Sequence, residues 1–455
     1  MKIASPDSNP LARVNSPERG PMLPPMPETP ITVYGDVDQR AVDQLRRCAE
    51  AGDALRGAIC ADGHVGYSQP IGGAVAYTDH ISPSGVGYDI ACGNKAARTN
   101  LKADEIRADL AGIMDSIFER ISFGVGRKNE EPAEHEVLER IAHADFAPQR
   151  QLRDLARNQL GTVGAGNHYV DLFEDEDGWV WVGVHFGSRG FGHKTASGFL
   201  ALAQGLRFDE RATEGGMESP PILFATSSEL GQSYIAAMEL AGEYAYAGRD
   251  AVVSKVLEIL GAESTHEVHN HHNFAWKERH FETDVWVIRK GCTPAFPGQE
   301  GFVGATMGEP SVILRGADST ASRQLMYSTV HGAGRVMSRT QAAGKMGTKA
   351  ECPRCGFWVR WSAREDVRCP EHPHEPLVKR RGRIRAGKID YELVRAELAG
   401  KGIELRGGAA DEAPGAYKRL DAVLAAHGGT IEVVHRLTPL GVAMAAADTF
   451  DPYKD

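Results

Sequence analysis

The chain has no run of about 18 apolar residues, so a membrane span is not expected and a membrane is set aside as a partner. No apolar core follows Lys2, so no secretory leader is expected either. Cysteine is scarce, with seven in 455 residues. So low and odd a number argues against a disulfide framework and for a reducing compartment, most simply the cytoplasm. Excess positive charge is missing: the formal net charge is -10. A nucleic-acid partner would therefore need a local basic surface. No internal repeat is present. What remains is ordinary for a soluble globular protein, 42% hydrophobic and 25% charged, and long enough for a large core or two to three domains.

Residues 1–30 hold eight of the 24 prolines and little apolar periodicity, which predicts an extended arm. Structure is expected from Ile31 to the end at Asp455. Helical spacing runs from Asp36 to Ala51, with Val42, Leu45 and Ala49 on one face. Helices are also predicted over Leu101–Arg120, Glu131–Leu160 and Ser227–Gly261. Strands are predicted over Ala74–Thr78, Tyr169–Phe173, Trp179–His185, Asp284–Arg289, Ser311–Leu314 and Thr430–Leu437. Strands and long helices mix without a repeating βαβ period, so the expected class is α+β, with mixed sheets flanked by helices.

Residues 349–388 look inserted, because composition shifts to Cys, Pro, His, Arg and Trp. Cys352 and Cys355 form one close pair, and Cys369 with His372 forms another. Two such pairs across a short loop suit a tetrahedral structural zinc ion, and the metal could fold a ribbon-like knuckle with almost no core. His374 competes with His372 as the fourth ligand. The bland alternative is a solvated loop with reduced thiols. Lys379, Arg380, Arg381, Arg383, Arg385 and Lys388 follow with no acidic residue among them. This is the one dense basic run, able to contact phosphate or simply to face solvent.

The chemistry-bearing residues are scattered over 240 positions. Asp89 and Cys92 stand three apart between glycines that favour tight turns. A thiolate beside a carboxylate is costly unless a cation lies between them; a turn-capping Asp beside a buried Cys is the alternative. His168 opens a strand after Gly164-Ala-Gly166-Asn167. Alternation sets it with Val170 and against Tyr169 and Asp171. His185 ends a strand, and the Gly-rich turn after it carries Ser188 and Arg189, which suit an oxyanion. His269, His271 and His272 are three candidate ligands that the residues alone do not separate. His331 sits on a small-residue turn before Arg335, where it could attack phosphorus or serve as general acid or base. A thiol, a carboxylate and several imidazoles together suit a transition metal.

With Asp62-Gly-His64-Val-Gly-Tyr67, Pro70-Ile-Gly-Gly73, Arg289-Lys290-Gly291 and Ala413-Pro-Gly-Ala-Tyr417-Lys418, these motifs fall in the order of the RtcB family of RNA-splicing ligases. The chain resembles that family over roughly residues 31–442, interrupted by the cysteine-rich segment. The resemblance implies an RtcB-like fold and two Mn2+ ions sharing Cys92. One ion would take Asp89, Cys92 and His168, the other Cys92, His185 and His272; His272 is chosen because Asn273 has the family's Glu five residues on, at Glu278. It implies that His331 accepts GMP from GTP, that Asn167, Asp171, Thr306, Ser311 and Tyr417 contact the nucleotide, and that Arg189 and Arg335 meet phosphate. The implied reaction joins RNA 2′,3′-cyclic phosphate or 3′-phosphate ends to 5′-hydroxyl ends, in RNA repair or tRNA splicing, with an archease-like activating protein as a candidate partner. Met444 stands where the family has a lysine that contacts guanylate. That departure motivates an alternative, a metal-dependent phosphoesterase that opens cyclic phosphates without sealing. A non-catalytic RNA-binding relative is the third reading.

Overall fold

The computed structural model describes residues 29–446 except Glu214 and Asp366. The expected arm thus lies outside the described residues up to residue 28, as does the end of the expected catalytic domain from residue 447. The class is α+β, as the mixed pattern predicts. One sheet orders five strands as Ile31–Val33, Ala54–His64, Ile71–Tyr77, Thr283–Lys290 and Asn273–His280. A second sheet orders Glu300–Val303, Ser311–Gly316, Ile431–Ala446, Tyr169–Glu174, Trp179–Phe186, Gly93–Lys102 and Ser264–His271, with Glu404–Gly408 added in parallel along Ile431–Ala446. Apart from that pair and the parallel pair Ile31–Val33 with Ala54–His64, the strands of these two sheets pair antiparallel.

The long expected helix is a single one, Glu229–Leu260. The Ser228 hydroxyl accepts from Gly231 N–H at 3.0 Å to start it, and Gly261 ends it in a left-handed conformation at φ 63°. It buries Tyr234, Tyr244 and Val253 against its neighbours. The first helix is Gln39–Glu50, capped by the Asp38 carboxylate. Two other expected helices are broken. Leu101 and Lys102 still belong to a strand, and Asp109 leaves helical geometry between Ala103–Arg107 and Leu110–Arg120. Glu131–Leu160 is three helices, Glu136–Ala142, Ala147–Arg150 and Arg153–Gln159. Pro148 explains one break, because it lacks an N–H and suits only a helix's first turn. The last strand was expected to stop at Leu437 but runs to Ala446, with a register shift absorbing Pro439.

The inserted segment forms its own sheet, with Gly344–Glu351 central between Trp358–Arg360 and Val378–Ala386. It starts five residues before the expected boundary. Lys379, Arg380, Arg381, Arg383 and Arg385 of the basic run lie on the strand Val378–Ala386.

Candidate metal centre and active site

Antiparallel pairing gathers the metal-type residues. Gly93 pairs with Phe186 and with His271, and Tyr169 pairs with His185. Cys92, His168, His185 and His272 therefore all fall at one end of the second sheet. His272 is the single residue between a strand of that sheet and Asn273–His280 of the first. The site lies on the seam of the two sheets.

Asp89, Cys92 and His168 converge, as do Cys92, His185 and His272; within each trio the donor atoms lie within 4.8 Å of one another. Cys92 Sγ is 3.3 Å from His185 Nε2 and 3.7 Å from His168 Nε2. Asp89 Oδ2 is 3.1 Å from His168 Nε2. Two three-donor groups sharing one sulfur have the composition of a dinuclear site. His168 Nδ1 lies 3.0 Å from Val163 O, which suits an N–H there and leaves Nε2 as the ligand atom. His272 Nδ1 is buried with no hydrogen-bond partner. An orphaned imidazole nitrogen at that place fits a cation.

Electrostatics favour the same reading. Burial, then the Asp89 charge, pushes the Cys92 thiol well above its ordinary range, so a metal must displace its proton. Burial would raise the Asp89 carboxyl, but the His168 hydrogen bond and charge outweigh it and hold it at about 2. His185 and His272 lie well below the ordinary imidazole range, first from burial and then from neighbouring imidazoles. They stay neutral and free to ligate.

Geometry separates the three adjacent histidines. Arg249, fully buried, donates to His269 Nε2 at 2.8 Å and sits 2.9 Å from His271 Nδ1. It also donates to Ala91 O at 3.0 Å and Phe186 O at 2.7 Å, fixing the backbone beside Cys92. His272 alone of the three faces the cavity. Gly187 is required by close approach: a Cβ there would sit 2.2 Å from Asp89 Oδ1.

His331 stands beside this cluster, its ring 4.9 Å from that of His272. Its Nδ1 is 2.7 Å from Asp62 Oδ2, and the same oxygen accepts from His331 N–H at 3.0 Å. Asp62 is fully buried, and despite burial the His331 ring and N–H keep its carboxyl below the ordinary value. The pair orients the ring and leaves Nε2 open. Asp62 had no role in the sequence reading beyond its place in a motif. An Asp two residues before a His in a glycine-rich stretch was the available signal.

A cavity of about 300 Å³ joins these groups. Of the expected nucleotide residues, Asn167, Asp171, Thr306 and Tyr417 line it, with Arg335. Thr306 Oγ1, Asp171 Oδ1 and Tyr169 Oη are buried without partners, a lining that suits a polar ligand. Burial pushes the Asp171 carboxyl well up, against a hydrogen bond from Ala443 N–H. The expected alternation fails at His168, which precedes its strand; it faces the cavity together with Tyr169 and Asp171. Ser311 is off the cavity wall, where it accepts from Ala305 N–H at 3.0 Å and so braces the loop that carries Thr306. Arg189 is also off the wall, 3.3 Å from Thr162 Oγ1. Met444 lines the cavity and packs with Tyr169 and Val442.

Sequence reasoning gave no role to Lys290 and missed Arg339 and Glu412, which also line the cavity. Lys290 Nζ donates to Tyr67 O at 2.6 Å, and burial lowers its pKa from 10.5 to about 8. Across that window the unfolded chain binds more protons, so stability rises with pH from about 8 to 10.5. Below it the buried charge costs about 3 kcal/mol, offset by roughly 1 kcal/mol from the hydrogen bond. Lys290→Met is expected to raise stability at pH 7 by about 2 kcal/mol. Urea unfolding at pH 7 and at pH 10 checks this: the gain should vanish at the higher pH, and no gain at pH 7 contradicts it.

In the inserted sheet, Cys352, Cys355, Cys369 and His372 bring their ligand atoms within 4.8 Å of one another. His372, not His374, completes this group.

These donor groups and this cavity define a candidate metal-dependent active site. The family model described as "tRNA-splicing ligase RtcB" matches residues 44–368. The RNA-splicing ligase RtcB of Escherichia coli is 30% identical over 409 residues, covering 84% of this chain and 88% of that protein. The tRNA-splicing ligase RtcB of Thermococcus kodakarensis is 30% identical over 462 residues, covering 85% and 86%. That of Archaeoglobus fulgidus is 29% identical over 490 residues, covering 90% and 91%. The chain belongs to the RtcB family.

Proposed function

We propose that this chain is an RNA ligase that joins 2′,3′-cyclic phosphate or 3′-phosphate ends to 5′-hydroxyl ends in RNA repair or tRNA splicing, using GTP and two Mn2+ ions. The observation that carries this reading is His331, clamped by buried Asp62 and set against candidate ligand His272. Asp89, Cys92 and His168 would hold one ion, and Cys92, His185 and His272 the other. Bound there, the ions would neutralise charge on attacking and leaving oxygens.

In this reading His331 Nε2 attacks the α-phosphorus of GTP. A P–N bond forms, the bond to the bridging oxygen breaks, and pyrophosphate leaves. Asp62 holds the proton side of the ring throughout. Water opens the cyclic phosphate to a 3′-phosphate, whose oxygen takes GMP from His331. The 5′-hydroxyl then attacks the activated 3′-phosphorus and GMP departs. Asn167, Asp171, Thr306 and Tyr417 would contact the nucleotide, and Arg335 a phosphate. Ser311 would act through its loop, and Arg189 would meet RNA phosphate from outside the cavity.

We read residues 31–455 as one catalytic domain interrupted by a ribbon held on zinc by Cys352, Cys355, Cys369 and His372. All seven cysteines are free, which suits a reducing cytoplasm. No helix among the described residues is long and apolar enough to cross a membrane. An archease-like activator remains part of the proposal as a partner.

The test is incubation with α-labelled GTP and Mn2+, then a denaturing gel. A labelled chain is the expected result. Met444 brings no cation to the cavity, and that favours the second reading, hydrolysis of cyclic phosphates alone. An unlabelled, metal-loaded protein that still opens a cyclic phosphate would replace the first reading with the second.

A further inference from the structure

The inserted sheet is electrostatically unlike the rest of the chain. Residues 344–388 hold twelve Lys and Arg against five Asp and Glu, while the remaining chain holds 39 against 56. Register shows how this charge is arranged. Lys349 pairs with Arg360 on one side and with Arg380 on the other, and residues paired directly across antiparallel strands share a face. Three cations therefore form one row across the whole sheet. Strands lie about 4.8 Å apart, so the row is tight. Like charges directly opposite one another destabilise a sheet. Among the described residues, only Glu351 is paired with the row, 3.8 Å from Arg380. Stability does not account for such a row; a polyanionic ligand does.

An aromatic platform adjoins it. Trp358 shares that face, pairs with Glu351, and is 36% exposed, with Lys349 Nζ 4.1 Å from its ring centroid. Exposed tryptophan among cations is the composition that holds single-stranded nucleic acid, with bases stacking while phosphates meet the charges. An acidic polypeptide would use the cations and leave the ring idle.

The ribbon is rooted at the cavity. Its two ends meet on the helix Arg339–Ala343, where Lys388 N–H donates to Gln341 O at 2.9 Å and Ile389 N–H to Ala342 O at 3.2 Å. Arg339, the first residue of that helix, is on the cavity wall.

We propose that the face bearing Arg360, Lys349, Arg380 and Trp358 is a docking surface for single-stranded RNA, gripping substrate beyond its reacting ends. This rests on the RNA ligase reading. The test uses the full chain and a fluorescent, unstructured RNA of roughly 20 nucleotides with hydroxyl ends, which cannot react. Affinity is measured by anisotropy between about 0.05 and 0.2 M KCl. K349Q/R360Q/R380Q is expected to bind at least tenfold more weakly, and the slope of log affinity on log salt should fall by about two, the value for three phosphates on a single strand. W358A, which leaves the charge intact, should weaken binding about fivefold or more with the slope unchanged. Zinc content near one per chain shows that the ribbon is folded in each variant.

Parental affinity and slope in the triple variant, or parental affinity in W358A, would overturn the proposal. So would displacement of RNA by poly-glutamate of equal charge as readily as by unlabelled RNA, which would make the surface a reader of charge alone. Failure of the ligase reading looks different: no nucleotide adduct forms at His331, whatever the ribbon variants do.

Discussion

His331→Ala is expected to lose all covalent labelling by GTP and all RNA joining, while keeping its metals and its fold. On the proposed reading this ring is the attacking group, its Nδ1 held 2.7 Å from Asp62 Oδ2 so that Nε2 would meet phosphorus. It is not counted among the convergent metal donors, so metal content measured by mass spectrometry should match the parent. Asp62→Asn is expected to slow adduct formation by about 10²–10⁴. The amide keeps the shape but offers one acceptor where the carboxylate offers two, and it can turn an N–H toward the ring. Asp62 now accepts both the ring nitrogen's proton and the His331 N–H on one oxygen. Single-turnover labelling separates the two variants: none for alanine at 331, slow but complete for asparagine at 62. Labelling of His331→Ala at the parental rate would move the nucleophile elsewhere.

Cys92→Ala is expected to empty both metal positions. Its sulfur is common to the two donor trios, so its loss reduces each to two ligands. Affinity for Mn2+ should fall by at least about a hundredfold, beyond what loss of a second-layer partner costs. The parent's high thiol pKa adds a signature, because loading the metal must release that proton. Dialysis followed by metal analysis should give about two ions per parent chain and fewer than one for the variant. Two ions in the variant would mean that Cys92 is not the bridge.

The residues of the candidate site were more legible in the sequence than the framework around them. Asp89, Cys92, His168 and His185 were legible because each stands in a glycine-rich motif where a reactive side chain has no packing reason to be. His272 needed the family pattern, since what separates it from His269 and His271 is Arg249, a residue 20 or so positions away that occupies the other two rings. Strands rich in β-branched and aromatic residues were found, among them Trp179–Phe186. Ala54–His64 and Gly93–Lys102 were not, because small residues between two packed layers show no alternation. The helix breaks at Pro148 and Asp109 were readable locally but were overridden by apolar spacing. Asp62 was noted only as part of a motif, because its contact with His331 spans 269 positions of sequence. Register across the inserted sheet, which lines up Lys349, Arg360 and Arg380, has no trace in a one-dimensional charge run.

The most direct measurement mixes purified protein with Mn2+, GTP and two RNA halves, one ending in a labelled 2′,3′-cyclic phosphate and one beginning with a 5′-hydroxyl. The predicted result is a longer labelled RNA that requires GTP, Mn2+ and His331 together. A cyclic phosphate opened without GTP and never joined would contradict the ligase account and leave a phosphoesterase in its place.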